Sequence, residues 1–291
     1  MKNFLKKHLI EMILSVILLV GLCLLLYPTV RNWWNSLHQT QAIAGYTEAI
    51  ENTSQEELQA MLDAAHTYNE SLRKRDSSFI LNDEEMAEYE SLLNIGGSGV
   101  MGVIEIPAIN VNLPIYHGTE EEVLQVGVGH IAGSSLPVGG TGTHCLLSGH
   151  RGLPSARLFT DLDRIIEGDI FTVTVLDNTI TYEVDQIRIV LPAEVDELAI
   201  VDGKDYCTLI TCTPYGVNTH RILIRGHRVD NIEGEAPIKR EAVKISSTVV
   251  ILAVGLPLLF IVWIGTTIFY TMKRPKKSEK EILENLKKKD R

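Results

Sequence analysis

Cys212, Arg221 and His150 are the side chains of this sequence whose types and placement could do covalent chemistry together. Cys212 ends the run Tyr206-Cys207-Thr208-Leu209-Ile210-Thr211, whose apolar and β-branched content reads as a strand, and it precedes the turn Thr213-Pro214-Tyr215-Gly216. A thiol at a strand end is held by a rigid sheet yet open to substrate, and as a thiolate it is a nucleophile. Nine residues on, Arg221 opens another apolar run. If the turn returns the chain beside itself, a guanidinium arrives near the sulfur, where it would favour the thiolate or donate to a developing oxyanion. His150 lies in Leu146-Leu147-Ser148-Gly149-His150-Arg151-Gly152, again a strand end followed by a glycine-flanked turn. Imidazole there could protonate a leaving amine and later take a proton from an incoming one. Each residue also has a structural role open to it: a strand cysteine is commonly a small core residue, and a turn histidine or strand arginine is commonly solvated.

The other cysteines frame that choice. Of four, Cys23 lies in an N-terminal apolar run, leaving Cys145, Cys207 and Cys212, an odd number, so at least one is unpaired within the chain. Cys145 stands five residues before His150 and Cys207 five before Cys212, so two neighbouring strands would bring them close. A disulfide there needs favourable Cβ geometry, and two buried thiols are the expectation. His144, Cys145, His150, Cys207, Cys212 and His220 could be imagined around zinc, but no C-x-x-C or H-x-x-x-H spacing supports it; no metal or cofactor is expected.

The elements that must position these residues change period along the chain. Between residues 36 and 95 the pattern is helical. Ser54 and Glu57 form a capping box before Leu58, Met61, Leu62, Ala65 and Leu72, and Asn82 and Glu85 a second one before Met86, Tyr89, Leu92 and Leu93. A charged, serine-containing break separates them, and Gly96, Gly97 and Gly99 close the region. From Val100 short strands are expected at Val103 to Ile106, Val111 to Tyr116, Cys145 to Leu147, Ile170 to Val175, Ile180 to Val184, Gln186 to Leu191, Tyr206 to Thr211 and His220 to Arg225. Asp177-Asn178 reads as a hairpin turn and Ser155 to Asp163 as the one helix among the strands. Such a pattern suggests a mostly β fold, a barrel or a sandwich.

Two apolar runs bracket this region. Leu9 to Tyr27, about 19 residues, is long enough to cross a hydrocarbon layer of about 30 Å, and Val249 to Tyr270 is a clearer span. Lys2, Lys6 and Lys7 precede the first, and Lys273, Arg274, Lys276 and Lys277 follow the second, so the positive-inside rule puts both termini in the cytoplasm and the middle of the chain outside. The expected organisation is a cytoplasmic N-terminus (1–8), a transmembrane helix (9–27), an extracellular helical segment (31–99), a β domain (100–230), a stalk (231–247), a second transmembrane helix (249–270) and a basic tail (271–291). Taking the 12 Lys+Arg and 5 Asp+Glu of residues 1–30 and 271–291 from the chain's 27 and 37 leaves 15 against 32, a formal charge of −17 for the remainder. So acidic a surface argues against nucleic acid as a partner.

Thr208-Leu209-Ile210-Thr211-Cys212-Thr213-Pro214-Tyr215-Gly216-Val217-Asn218-Thr219-His220-Arg221 resembles the sortase signature T-L-x-T-C, in the long form of class C, pilin-polymerising sortases. The similarity runs over roughly residues 100 to 230 and includes Gly118-Thr119, Ala132 to Gly140, His150 to Pro154 and Leu158-Phe159. The resemblance implies a closed β-barrel of about eight strands with N-terminal helices and two flanking transmembrane helices, on a Gram-positive cell surface. It further implies a cysteine transpeptidase acting on an L-P-x-T-G-like sorting signal: Cys212 attacks the Thr carbonyl, His150 protonates the departing Gly amine, and Arg221 steadies substrate and oxyanion. The partners implied are surface proteins or pilins bearing that signal and an acceptor amine, a pilin lysine or a cell-wall precursor; a membrane-tethered binding module without catalysis is the alternative of another class. Class C members carry a lid with an Asp-Pro-aromatic motif. The matching place within residues 73–81 reads Arg75-Asp76-Ser77-Ser78-Phe79, so Asp76 and Phe79 are the candidate lid contacts, without the proline and with one residue more between them.

Overall fold

The computed structural model describes residues 2–73, 79–153 and 156–231, with a few residues between 257 and 268. Helix α1 (Lys2–Glu51) leads into α2 (Gln55–Leu72) and α3 (Asp83–Ser91), both opened by the capping boxes of Ser54 with Glu57 and Asn82 with Glu85. The strands follow: β1 (Val100–Ile106), β2 (Val111–His117), β3 (Val128–His130), β4 (Thr143–Ser148), β5 (Ile170–Val175), β6 (Asn178–Val190), β7 (Asp205–Thr213) and β8 (His220–Val229). The short helix α4 (Glu121–Leu124) precedes β3.

The eight strands close a barrel in the order β1-β2-β3-β4-β7-β8-β6-β5, with β5 returning to β1. Two pairs, β2 with β3 and β4 with β7, are parallel and the rest antiparallel. Inward-facing residues of alternating strands, among them Ile104, Ile115, Leu147, Phe171, Val173, Tyr182, Leu209 and Ile224, fill the core. Gly226 lets Phe171 and Tyr182 close over β8, since a Cβ there would stand 2.6 Å from the Phe171 ring. The two strands expected over 180–191 are one strand, β6, with an irregularity in its pairing between Val184 and Gln186. Its hairpin with β5 turns at Leu176 and Asp177, one residue earlier than the sequence suggested.

Of the α-helix expected over 155–163, the described residues 156–163 form none. Leu158 adopts φ 35°, outside the right-handed basin, and only Leu162–Arg164 coils, as one 3₁₀ turn. Its work is local: the Phe159 amide donates to the His150 carbonyl at 3.1 Å, and the Phe159 ring lies where a Cβ on Gly149 would be, 2.6 Å away.

The expected first span and the start of the helical segment are one continuous α1, with Pro28 inside it. Among the described residues one helix, Val16–Glu51 within α1, is long and apolar enough to cross a membrane. Farther along, α1 is pinned to the barrel by Tyr46, whose buried hydroxyl donates to the Met101 carbonyl (2.9 Å) and accepts from the Leu176 amide (2.7 Å). The stalk beyond Asn231, most of the second span (249–270) and the tail (271–291) lie outside the described residues; those described between 257 and 268 are helical and belong to a separate unit.

The interior also holds a titratable network. His130 is fully buried, its Nδ1 3.0 Å from the Tyr89 hydroxyl and its Nε2 2.9 Å from the Ser135 carbonyl, and burial pushes its pKa down to about 4. Between about 4 and the ordinary 6.5 the unfolded chain therefore holds a proton that the native chain does not, so stability falls as pH drops through that window. The full loss is expected to be about 3 kcal/mol, reached below pH 4. Urea midpoints at pH 7 and 4.5 should show it, and His130→Gln, though less stable at pH 7, should lose that share of the pH dependence. Equal pH slopes in the two proteins would contradict the assignment.

Candidate active site

Cys212 stands at the penultimate position of β7, and the sheet supplies a neighbour on each side. On β8 its register partner is Arg221. Residues directly opposite in an antiparallel pair project from the same face with Cβ atoms about 5 Å apart, so guanidinium and thiol share one face. On the other side, the parallel ladder of β4 and β7 pairs Ser148 with Ile210, and the Gly149 amide continues it by donating to the Ile210 carbonyl at 3.0 Å. His150 follows directly in the chain, two residues past Ser148 as Cys212 is two past Ile210.

Both residues are fixed by their sequence neighbours. Thr211, before Cys212, donates its hydroxyl to the carbonyl of Gly149, before His150, at 2.7 Å. Thr213, after Cys212, accepts from the guanidinium of Arg151, after His150, at 3.2 Å. The thiol and the imidazole are thus carried on two backbones stapled to each other on both flanks. Arg151 is itself held by Asp163, and its guanidinium lies 6.0 Å from the Tyr215 ring centre. Gly152 next to it has φ 78°, and a Cβ there would press on Tyr215 at 3.1 Å. Arg221 donates to the carbonyls of Asn218 (3.3 Å) and His220 (3.1 Å), which hold it at the base of the 213–220 turn.

The three cysteines of the barrel differ in a way that bears on reactivity. Cys145 and Cys207 are register partners across β4 and β7, both free thiols and both buried in the core. Burial, and then the hydrogen bond to Cys207, push the Cys145 thiol up, keeping it protonated and a poor nucleophile. Cys212 is free and partly exposed. His144 is occupied elsewhere, its ring between the Ala199 carbonyl (2.9 Å) and the Thr208 hydroxyl (2.7 Å), and burial lowers its pKa. Among the described residues no three His, Cys, Asp or Glu side chains gather as a metal site.

Thr208, Ile210 and Cys212 alternate onto the outer face of β7, the opposite one from Leu209 and Cys207 in the core. Ile210, Leu146, Leu223 and Leu198 form there a second apolar cluster, packed against Phe79, Ile131 and Val190. Phe79 also lies over Gly133, whose φ of 82° and missing Cβ leave room for it. Phe79 therefore sits on the face that carries Cys212, above a floor one pair of residues from it, whereas Asp76 lies outside the described residues. The staple residues Thr211, Thr213, Arg151 and Gly149 went unassigned in the sequence because each is a common strand or turn residue; their symmetric placement about Cys212 and His150 was the available signal.

Comparison with known proteins converges on one family. The sortase domain matches residues 104–229. Sortase D of Bacillus subtilis (strain 168) is 28% identical over 160 residues, covering 54% of this chain and 78% of that protein. Among solved structures, sortase C1 from Streptococcus agalactiae is 50% identical with a TM-score of 0.65, over 66% of this chain and all of that one. Clostridium perfringens sortase C, solved with the C-terminal cell wall sorting motif, is 45% identical with a TM-score of 0.59, over 66% of this chain and 100% of its own. With half its aligned residues identical to a whole solved sortase chain, the same family domain over its strands and a closed eight-stranded mixed barrel, this chain belongs to the sortase family of transpeptidases.

Proposed function

We propose that the chain is a class C sortase that joins proteins bearing an L-P-x-T-G-like sorting signal to an amine, most often a lysine of a pilin subunit. The observation that carries this reading is the placement of Cys212 between Arg221, its register partner on β8, and the stapled turn of His150. The similarity to two sortase C chains, one solved with a sorting motif, supports the class.

In this mechanism the Cys212 thiolate attacks the Thr carbonyl carbon. Arg221, fixed and cationic, donates to the carbonyl oxygen as it becomes an oxyanion, where a preorganised donor is worth about 10²- to 10³-fold in rate. The C–N bond breaks as His150 gives its proton to the leaving Gly amine, leaving a thioester on Cys212. The neutral ring then takes a proton from the incoming amine, which attacks the thioester, forms the amide and releases the thiolate. With α1 and the segment after the stalk as membrane spans and both termini in the cytoplasm, the barrel faces outward, where sorting signals of exported proteins arrive.

The acceptor is decided by competition. An L-P-x-T-G peptide would be offered with equal concentrations of a peptide containing a pilin-type lysine and of a cell-wall stem peptide amine, and the products counted by mass. The lysine product is expected to exceed the other by about tenfold, a difference of about 1.4 kcal/mol between transition states. The reverse ratio would make the chain a cell-wall-anchoring sortase, and absence of both products would favour a binding module.

Residues 73–81 are proposed as a lid, with Asp76 directed at Arg221 and Phe79 over the approach to Cys212. Phe79→Ala should raise the thiol-labelling rate of Cys212 about threefold or more by favouring the open state. An unchanged rate would remove Phe79 from any gating role.

A further inference from the structure

His150 has a partner that the chemistry above leaves unused. Its Nε2 lies 3.4 Å from Glu121 Oε2, and Glu121 Oε1 accepts a 3.0 Å hydrogen bond from Gln125 Nε2 one turn along α4. That hydrogen bond first, and His150 second, hold the Glu121 carboxyl below its usual range, so it is an anion at neutral pH. Helix α4 has four residues and no side-chain cap of its own, too few to keep a helical shape by propensity. It is gripped from outside by α1: Gln39 Nε2 donates to the Val126 carbonyl at 2.9 Å and Asn35 Nδ2 to the Gln125 carbonyl at 3.4 Å. A run of hydrogen bonds thus leads from α1, through the end of α4 and the Gln125 amide, to the imidazole.

We propose that Glu121 is a positioning residue for His150 and that α1 holds it in place. The inference rests on the proton-transfer role proposed for His150. An exposed pair of this kind adds little to stability. What it decides is which ring nitrogen carries the proton: with Nε2–H directed at the carboxylate, the neutral ring keeps its lone pair on Nδ1, the nitrogen left to exchange protons with thiol and amines. A ring without that anchor would divide its time between tautomers and rotamers, and only part of the population would be competent. The helix that carries the apolar span therefore also sets the geometry of the acid–base residue.

The test uses the full chain in detergent micelles, with a fluorogenic L-P-x-T-G peptide and a lysine-bearing acceptor. Glu121→Gln, which keeps size and loses charge, is expected to lower kcat about tenfold with KM within about twofold. In the ¹⁵N spectrum of histidine-labelled protein, the Nε2–H tautomer of His150 should lose its dominance. Gln39→Ala should move both readouts the same way by a smaller factor, while Glu122→Gln, at the exposed next residue of α4, should move neither. Wild-type kcat with an unchanged ¹⁵N pattern in Glu121→Gln, or a change confined to KM, would overturn the proposal; an unmoved Gln39→Ala would overturn the part assigned to α1. If the wild-type chain transfers no acyl group, the functional reading falls, and the ¹⁵N pattern, which needs no substrate, still decides the role of Glu121.

Discussion

Cys212→Ala is expected to abolish acyl transfer, lowering turnover by at least about 10⁴-fold, because among the described residues of the barrel Cys212 is the one cysteine that is not buried. The substitution removes one sulfur at the partly exposed end of β7 and leaves Thr211 and Thr213 to staple the His150 turn as before. The unfolding midpoint should therefore stay within the range of an ordinary surface change, about 0.5 kcal/mol. Cys145→Ala and Cys207→Ala should invert this pattern, costing core packing and sparing chemistry, since both thiols are buried away from the outer face. Steady-state turnover of a sorting-signal peptide, measured beside urea denaturation for all three variants, checks the contrast. Residual turnover in Cys212→Ala above about 1% of wild type would remove Cys212 from the nucleophile's role.

His150→Ala is expected to lower kcat by about 10²- to 10⁴-fold, the span of a general acid–base group, with the loss falling on both half-reactions. Thioester formation loses the proton donor for the leaving amine, and aminolysis loses the acceptor for the incoming one. Added imidazole should recover part of the rate, because the flanking Gly149 and Arg151 still hold the turn open beside Cys212. Single-turnover traces separate the steps. A variant slowed only in binding, with both chemical steps intact, would show that His150 orients substrate and moves no proton.

Much of this architecture was legible in the sequence, and the reasons are specific. The strands carrying Cys212 and Arg221 show in the sequence as short apolar and β-branched runs, Tyr206 to Thr211 and Ile222 to Ile224, bounded by turn residues and polar positions, although neither alternates strictly. Both capping boxes declared their helices through side chains four positions apart or fewer. Strand β3, Val128–His130, has three residues and a glycine in the middle, which no periodicity can announce; its partners β2 and β4 define it. The helix expected at 155–163 failed because the backbone of Leu158 turns left-handed and Phe159 is drawn to the His150 turn, a tertiary demand that overrides local propensity.

The site shows the same division. The chemistry of a thiol, an imidazole and a guanidinium can be read from residue types, and their nearness could be guessed from strand ends. The register that makes Arg221 the partner of Cys212, and the two threonines that tie it to His150, exist only once β4, β7 and β8 are assembled. Glu121 was beyond reach for the same reason: it comes from a four-residue helix placed by contacts with α1 that span 87 and 90 residues of sequence.

The most direct test of the central claim is intact mass of the full chain after brief incubation with an L-P-x-T-G peptide and no acceptor amine. A mass increase equal to the peptide's acyl portion up to Thr is expected, mapped by proteolysis to Cys212, discharged by a lysine-bearing acceptor and absent from Cys212→Ala. No adduct on the wild-type chain, or an adduct that survives in Cys212→Ala, would contradict it.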